Sequence, residues 1–315
     1  MLLAIFAFHP KAVKGNHLFY SNLFITFDLS ELKPAEKQYW LQHVIAPRPI
    51  CFASTIDKAG SINLSPFSFF NIFSTSPPVV IFSPARRVRD NSIKHTLQNL
   101  VEVPEVVINI VTYDMVQQTS LTSCDYPRGV DEFIKAGFSK EPATLVRPPM
   151  VKESKAKLEC KVLEIKSLGE EGGAGQLAIC EVLMLHLHDS LLTEDRRFEQ
   201  SKLELVARLG GDWYCKVSKE NLFTVAKPNT KLGIGFDALP ESLRNSRVLT
   251  GNQLGQLANV HEVPVVQPSF EDDHLKNIIQ YFSINPVEME LELHRYAAKL
   301  LDEGKVEAAW QVLLA

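Results

Sequence analysis

Residues 50–113 hold three short runs, ICFAST (50–55), PPVVIFS (77–83) and EVVINIVTY (105–113), in which β-branched and aromatic side chains predominate. Asp-Lys-Ala-Gly and Ser-Pro clusters, which favour turns, separate them. The pattern predicts a mostly antiparallel sheet. Between the second and third runs, NSIKHTLQNLVE (91–102) places Ile93, Leu97 and Leu100 at the spacing of one helix face. A short helix therefore interrupts the strands.

Downstream, DEFIKAGF (131–138) reads as a helix that stops at Gly137. KLECKVLEIKSL (157–168) and QLAICEVLMLHLHDS (176–190) flank EEGGAG and predict a hairpin of two long strands, with the glycine-rich loop as turn chemistry. Beyond Tyr214 the character changes. Residues 221–270 carry Pro228, Pro240, Pro264 and Pro268 among short apolar runs and read as an irregular extension. Two amphipathic segments follow, DDHLKNIIQYF (272–282) and VEMELELHRYAAKLLDEGKVEAAWQVLL (287–314), the second broken at Glu303-Gly304-Lys305 as in a helical hairpin. Leu275, Ile278, Ile279 and Phe282 form an apolar stripe, and a lone hairpin of this kind cannot bury its own face. The stripe is expected to pack on the sheet domain or on a partner. The chain thus divides into a poorly ordered N-terminal segment (1–24), a main domain (25–220) and a C-terminal extension (221–315).

The 315 residues are 45% hydrophobic and 22% charged, a composition typical of globular chains, with a formal charge of −4. No global basic field exists to collect nucleic acid or anionic lipid, so neither is expected as a partner. Cys51, Cys124, Cys160, Cys180 and Cys215 are odd in number and widely spaced, which fits reduced thiols in cytoplasm better than disulfides or a metal site. The apolar start MLLAIFAF lacks a basic flank and does not read as a signal peptide.

Chemistry concentrates between residues 48 and 96. Arg48 sits between Pro47 and Pro49, Ser54-Thr55 end a run, and Asn63-Leu64-Ser65-Pro66-Phe67-Ser68 opens a polar turn. Ser83, Arg86, Arg87, Arg89, Lys94 and Thr96 follow. Cations with hydroxyls suit a phosphate, and small polar groups suit a ribityl chain and the edge of a ring. Taken alone, arginines before a helix are more often solvated surface and Ser-Pro pairs more often plain turns. Asp125 and Glu132 follow a predicted loop, and solvated positions explain them as well as a site does. His186 and His188 alternate onto one strand face, but no third ligand supports a metal. Gly233-Ile234-Gly235-Phe236-Asp237-Ala238 fits G-x-G-x-x-A formally, yet KPNTK precedes it and Pro240 follows, so no dinucleotide-binding unit is expected.

Several words in order give the stretch a resemblance: APRPICFASTIDKAG, SINLSPFSFFNIFSTSPPVVIFSPARR, IKHTLQNL, EVVINIV, DEFIKAGF and ARLGGDWY. Over residues 25–217 the chain resembles the flavin reductase-like, FMN-binding split-barrel family, which includes flavoredoxin and the reductase components of monooxygenases. The resemblance implies a mainly β split barrel with flanking helices, a homodimer, and FMN, with FAD as the alternative flavin. Ser54, Thr55, Asn63, Ser65 and Ser68 look like residues along the ribityl chain and ring edge; Arg48, Lys94 and Thr96 look like the phosphate end. Where the family commonly reads Lys-Asp-Thr, this chain reads Lys94-His95-Thr96. His186 is a weak candidate near flavin and substrate, and no residue is assigned a catalytic role. The implied activity is transfer of hydride from NADH or NADPH, bound transiently, to flavin N5, with an electron-acceptor protein as a further partner. The alternatives are an FMN electron carrier without nicotinamide activity and an interaction protein without flavin.

Overall fold

A computed structural model describes residues 25–227 and 232–315; the N-terminal segment 1–24 and Pro228 lie outside the described residues. The chain forms two compact units, one ending at Leu222 and one beginning at Phe223.

The first unit is built on β1 (Arg48–Pro49), β2 (Cys51–Ile56), β3 (Ile62–Phe67), β4 (Phe70–Thr75), β5 (Pro78–Phe82) and β6 (Glu105–Ile110). The short β7 (Lys140–Glu141) and β8 (Met150–Val151) pair with each other, and β9 (Ala156–Ser167), β10 (Gln176–Leu187), β11 (Val206–Arg208) and β12 (Tyr214–Lys216) complete the set. Seven of them make one antiparallel sheet in the order β3-β2-β6-β9-β10-β5-β4, and β1, β11 and β12 make a second. No ladder joins β3 to β4, so the barrel is not closed. All three β-rich runs of residues 50–113 are strands, and the two long runs form the β9–β10 hairpin.

Alternation of side chains explains how one strand feeds two cores. Cys51 and Ala53 of β2 join Val80, Phe82, Val106, Ile108, Cys160 and Cys180 in one cluster. Phe52 faces the opposite way, into a cluster with Leu64, Met115, Phe133 and Val206. Burial on both faces is why apolar residues stand side by side at 51–53.

Four helices flank this sheet: α1 (Pro34–Val44), α2 (His95–Glu102), α3 (Val116–Leu121) and α4 (Glu132–Ala136). α2 buries Thr96, Leu97, Asn99 and Leu100; Ile93, expected on the same face, precedes the helix and stays exposed. α4 ends where Gly137 takes the left-handed conformation (φ 71°), and the Phe138 amide donates back to the Phe133 carbonyl at 2.8 Å.

The second unit corrects two expectations. Residues 221–270 contain α5 (Glu241–Arg244) and α6 (Gly251–Ala258), the latter started by a reciprocal Thr250–Gln253 capping box. Their helices are too short to show periodicity in the sequence. With α7 (Asp273–Tyr281), α8 (Pro286–Asp302) and α9 (Val306–Leu313) they enclose a core that includes Leu243, Leu249, Leu257, Leu275, Leu301 and Trp310. The apolar stripe therefore finds cover within its own unit: Leu275 and Ile278 are buried, although Ile279 stays exposed. The Gly233–Ala238 stretch is a loop pinned by Ile234 and Gly235 amides to the Val260 and Ala258 carbonyls. Among the described residues, no helix is long and apolar enough to cross a membrane.

Candidate flavin site

The loop from Ser83 to Lys94 gathers cations ahead of α2. Arg86 donates to Asn91 Oδ1 at 2.6 Å, and Arg87 reaches Ser92 Oγ at 2.9 Å and Asp125 Oδ1 at 2.7 Å. Arg89 also bonds Asp125. Burial acts to raise the Asp125 pKa, but the Arg87 and Arg89 bonds outweigh it and hold the carboxyl below its ordinary range. Asp125, for which a solvated position was equally open in the sequence, thus aligns two guanidiniums.

The EEGGAG hairpin loop is more than turn chemistry. It grips this arginine segment: the Arg86 amide donates to Ala174 O and the Gly173 amide to Arg86 O, both at 3.0 Å. A Cβ on Gly172 would stand 3.0 Å from Val88 O and 3.1 Å from Arg87 O, so glycine permits the approach. Ser83 Oγ accepts the Gln176 amide at 3.0 Å, tying the start of the loop to β10.

Lys94 is the N-cap position of α2, and no side chain caps the helix. Its ammonium makes no ion pair or hydrogen bond among the described residues; burial, with help from Arg87, lowers its pKa. His95 is lowered from 6.5 by burial and by Arg87, Arg128 and Lys94, so it is neutral at neutral pH. A helix start whose amides lack a cap, beside a free ammonium and two guanidiniums, is a donor set that fits a phosphate.

Behind that end lies a buried polar network. Thr96 Oγ1 donates to Asn63 Oδ1 at 2.7 Å, and Asn63 Nδ2 donates to Glu132 Oε1 at 2.9 Å. Glu132 Oε2 accepts the Leu64 amide at 3.0 Å, while Asn99 Nδ2 donates to Thr55 Oγ1 at 3.2 Å. Thr55 faces Asn63 across the β2–β3 ladder. Burial raises the Glu132 pKa against the Leu64 and Asn63 bonds, which act to lower it. The structure thus brings Thr55, Asn63, Lys94 and Thr96 together and adds Glu132, buried where a solvated position was also open to it, and Asn99, which the sequence reading passed over. An acid at the first position of a helix opposite a polar strand was the one available signal.

The other expected residues stand apart from this network. Ser65 and Ser68 are half-buried, on β3 and in the β3–β4 turn. Ser54 is fully buried and its Oγ has no partner among the described residues. Arg48 is buried and donates to the Gln42, Ile45 and Leu209 carbonyls at 2.5, 2.6 and 2.8 Å, so its guanidinium joins α1 to the end of β11. That leaves Lys94, Arg87 and Arg89 as the cations near the start of α2. His186 Nε2 lies 2.7 Å from Glu159 Oε1, whose carboxylate also accepts the Thr144 and Val146 amides; the histidine anchors that turn. His188 bonds Ser190 instead. Among the described residues no three His, Cys, Asp or Glu side chains gather around a metal position. A surface cleft of about 460 Å³ is lined by Lys155, Lys202, Lys216 and Lys219 and by no residue of α2, and Glu204 neutralises Lys216 there at 2.6 Å.

Comparison with known proteins bears on the same region. The family model described as flavin reductase like domain matches residues 44–202. This chain belongs to that family. The flavin reductase-like match thereby spans the arginine loop, α2, Glu132 and the β9–β10 hairpin. An uncharacterized protein of Aquifex aeolicus is 34% identical over 177 residues, covering 56% of this chain and 88% of the relative. Nitrilotriacetate monooxygenase component B from Bacillus cereus is 27% identical with a TM-score of 0.60, covering 65% of this chain and all (100%) of that one. A split-barrel protein of Shewanella frigidimarina NCIMB 400, 23% identical, shares the fold with a TM-score of 0.54 over 62% of this chain and 96% of its own.

Proposed function

We propose that the chain is an FMN-binding oxidoreductase that takes electrons from NADH or NADPH and passes them on. The observation that carries the reading is the free Lys94 ammonium at an uncapped helix start, flanked by Arg87 and Arg89 and backed by the Asn63–Thr96 network. Similarity to a monooxygenase component B supports electron transfer to a partner reaction.

When bound, the flavin supplies the redox chemistry itself, accepting hydride at N5. The chain's own residues do the placing. Lys94 and the first-turn amides of α2 would hold the phosphate, and Ser65 and Ser68 would meet the ring end. Thr96 would contribute its amide, because its hydroxyl proton is already given to Asn63. The nicotinamide would stack transiently on the flavin, since no dinucleotide-binding strand–loop–helix exists among the described residues. Phe69, Ile72 and Phe73 are exposed at β4, the sheet's end strand, and this apolar edge beside Ser68 supports a homodimer. A cytoplasmic location fits the free thiols.

Anaerobic mixing of the FMN-loaded protein with each reduced nucleotide tests the reading at the flavin absorbance band. The expected result is bleaching by NADH or NADPH. A flavin that both nucleotides leave oxidised, yet dithionite reduces, would make the chain an electron carrier without nicotinamide activity. Protein that binds no flavin at all would revert to the interaction-protein reading.

A further inference from the structure

Glu132 is a carboxylate with 4% exposure in a unit whose other acids mostly meet solvent or a cation. No lysine or arginine pairs with it among the described ion pairs. Instead, its two oxygens take Asn63 Nδ2 at 2.9 Å and the Leu64 amide at 3.0 Å. A buried acid held only by neutral donors is costly, so its place calls for an explanation.

The hydrogen-bond chain supplies one. An ionised carboxylate can only accept, which turns the Asn63 amide so that Nδ2 faces Glu132 and Oδ1 faces α2. Oδ1 in turn takes the Thr96 hydroxyl proton at 2.7 Å. Thr96 is the second residue of α2, directly after His95 and two after Lys94. A chain of fixed polarity therefore runs from α4 through the edge of β3 to the first turn of α2. It sets the distance between the β3 segment that ends at Ser65–Ser68 and the helix start that carries Lys94.

We infer that Glu132 is a positioning residue for flavin phosphate: through Asn63 and Thr96 it orients the start of α2, and so makes the protein prefer FMN to riboflavin. This rests on the flavin-site reading above. Glu132 touches no ligand itself. Loss of the carboxylate frees the Asn63 amide to rotate, lets Thr96 exchange donor for acceptor, and unhooks the phosphate end while leaving the ring end on β3.

The test compares FMN with riboflavin on the purified full-length chain, titrated into flavin-free protein. Glu132→Gln keeps the volume, and one of its amide faces must meet a donor. Its FMN dissociation constant is expected to rise by about tenfold or more, one charge-assisted hydrogen bond's worth, while riboflavin binding changes by less than about threefold. Combining it with Lys94→Ala should give less than the product of the two single effects, because both act on one contact. Equal weakening of FMN and riboflavin would overturn the inference and reduce Glu132 to a scaffold residue. Unchanged FMN binding would overturn it too. If Glu132→Gln does not fold, Thr96→Val breaks the same chain at its other end and is read in the same way. Parent protein that binds neither flavin fails the flavin-site reading itself, an outcome distinct from either.

Discussion

Lys94 differs from the arginines around it in having no protein partner among the described residues. Arg87 and Arg89 share Asp125, whereas the Lys94 ammonium is half-buried and unpaired. A phosphate would complete it. Lys94→Ala is therefore expected to weaken FMN binding by about 1.5–3 kcal/mol, the usual worth of a charge-assisted hydrogen bond. The pH dependence has a definite sign. Burial and Arg87 place the Lys94 pKa below its ordinary 10.5 in the free protein, and only the protonated form attracts phosphate. FMN affinity should fall as pH rises through that lowered value, and the Lys94→Ala protein should lose this alkaline slope. Titration of flavin fluorescence across the alkaline range checks both. Lys94 and Thr96 were legible as sequence because they stand in a recognisable word, Ile93 to Leu100. Arg48 was legible only as a cation between prolines; its three carbonyl partners lie 3, 6 and 161 residues away, and the last of these no local pattern shows.

At the scale of elements, the β9–β10 hairpin holds the arginine loop through its glycine-rich turn. Gly172 approaches the Arg87 and Val88 carbonyls so closely that an added methyl must move backbone, not a flexible side chain. Gly172→Ala should lower stability by about 1–3 kcal/mol, as overpacking does, and should weaken FMN binding in parallel by shifting Arg87. Thermal melting with and without FMN measures both; a variant that melts lower yet binds FMN unchanged would separate the turn from the site. The three thiols beneath this hairpin, Cys51, Cys160 and Cys180, share one buried cluster. Burial raises all three, Cys180 to about 12, so they are packing groups without redox reactivity near neutral pH. The hairpin itself was plain in the sequence, since two twelve-residue strands leave a long alternating trace. Its grip on residues 86–88 was not, because backbone-to-backbone contact carries no side-chain signature.

For the whole molecule, the β4 edge is the feature that asks for a second copy. Phe73 is 64% and Ile72 61% exposed on a strand whose outer side pairs with nothing in the sheet. With the proposed self-association through this edge, the parent is expected to be a dimer and Phe73→Glu a monomer in light-scattering measurements at micromolar concentration. If the parent is already monomeric, or the variant stays dimeric, the self-association proposal fails. The C-terminal unit shows how patterning can mislead. Its stripe on α7 looked unpartnered, yet Leu275 joins a core that also draws on Leu243, Leu249 and Leu257, residues of short segments with no period of their own.

Amphipathic spacing, turn residues and ordered words were enough to establish a mainly β domain of this family, the strands of residues 50–113, the helix carrying Lys94, and the helical hairpin at the end. Each depends on neighbours within one turn or one ladder rung, and local periodicity records such neighbours directly. Tertiary structure decided the rest: that Arg48 serves carbonyls, that His186 serves Glu159, that Asp125 aligns two arginines, and that Glu132 reaches Asn63 from 69 residues away. Those roles are set by which polar groups meet in burial, where an unmet donor or acceptor is costly, and that meeting is a property of the packed chain.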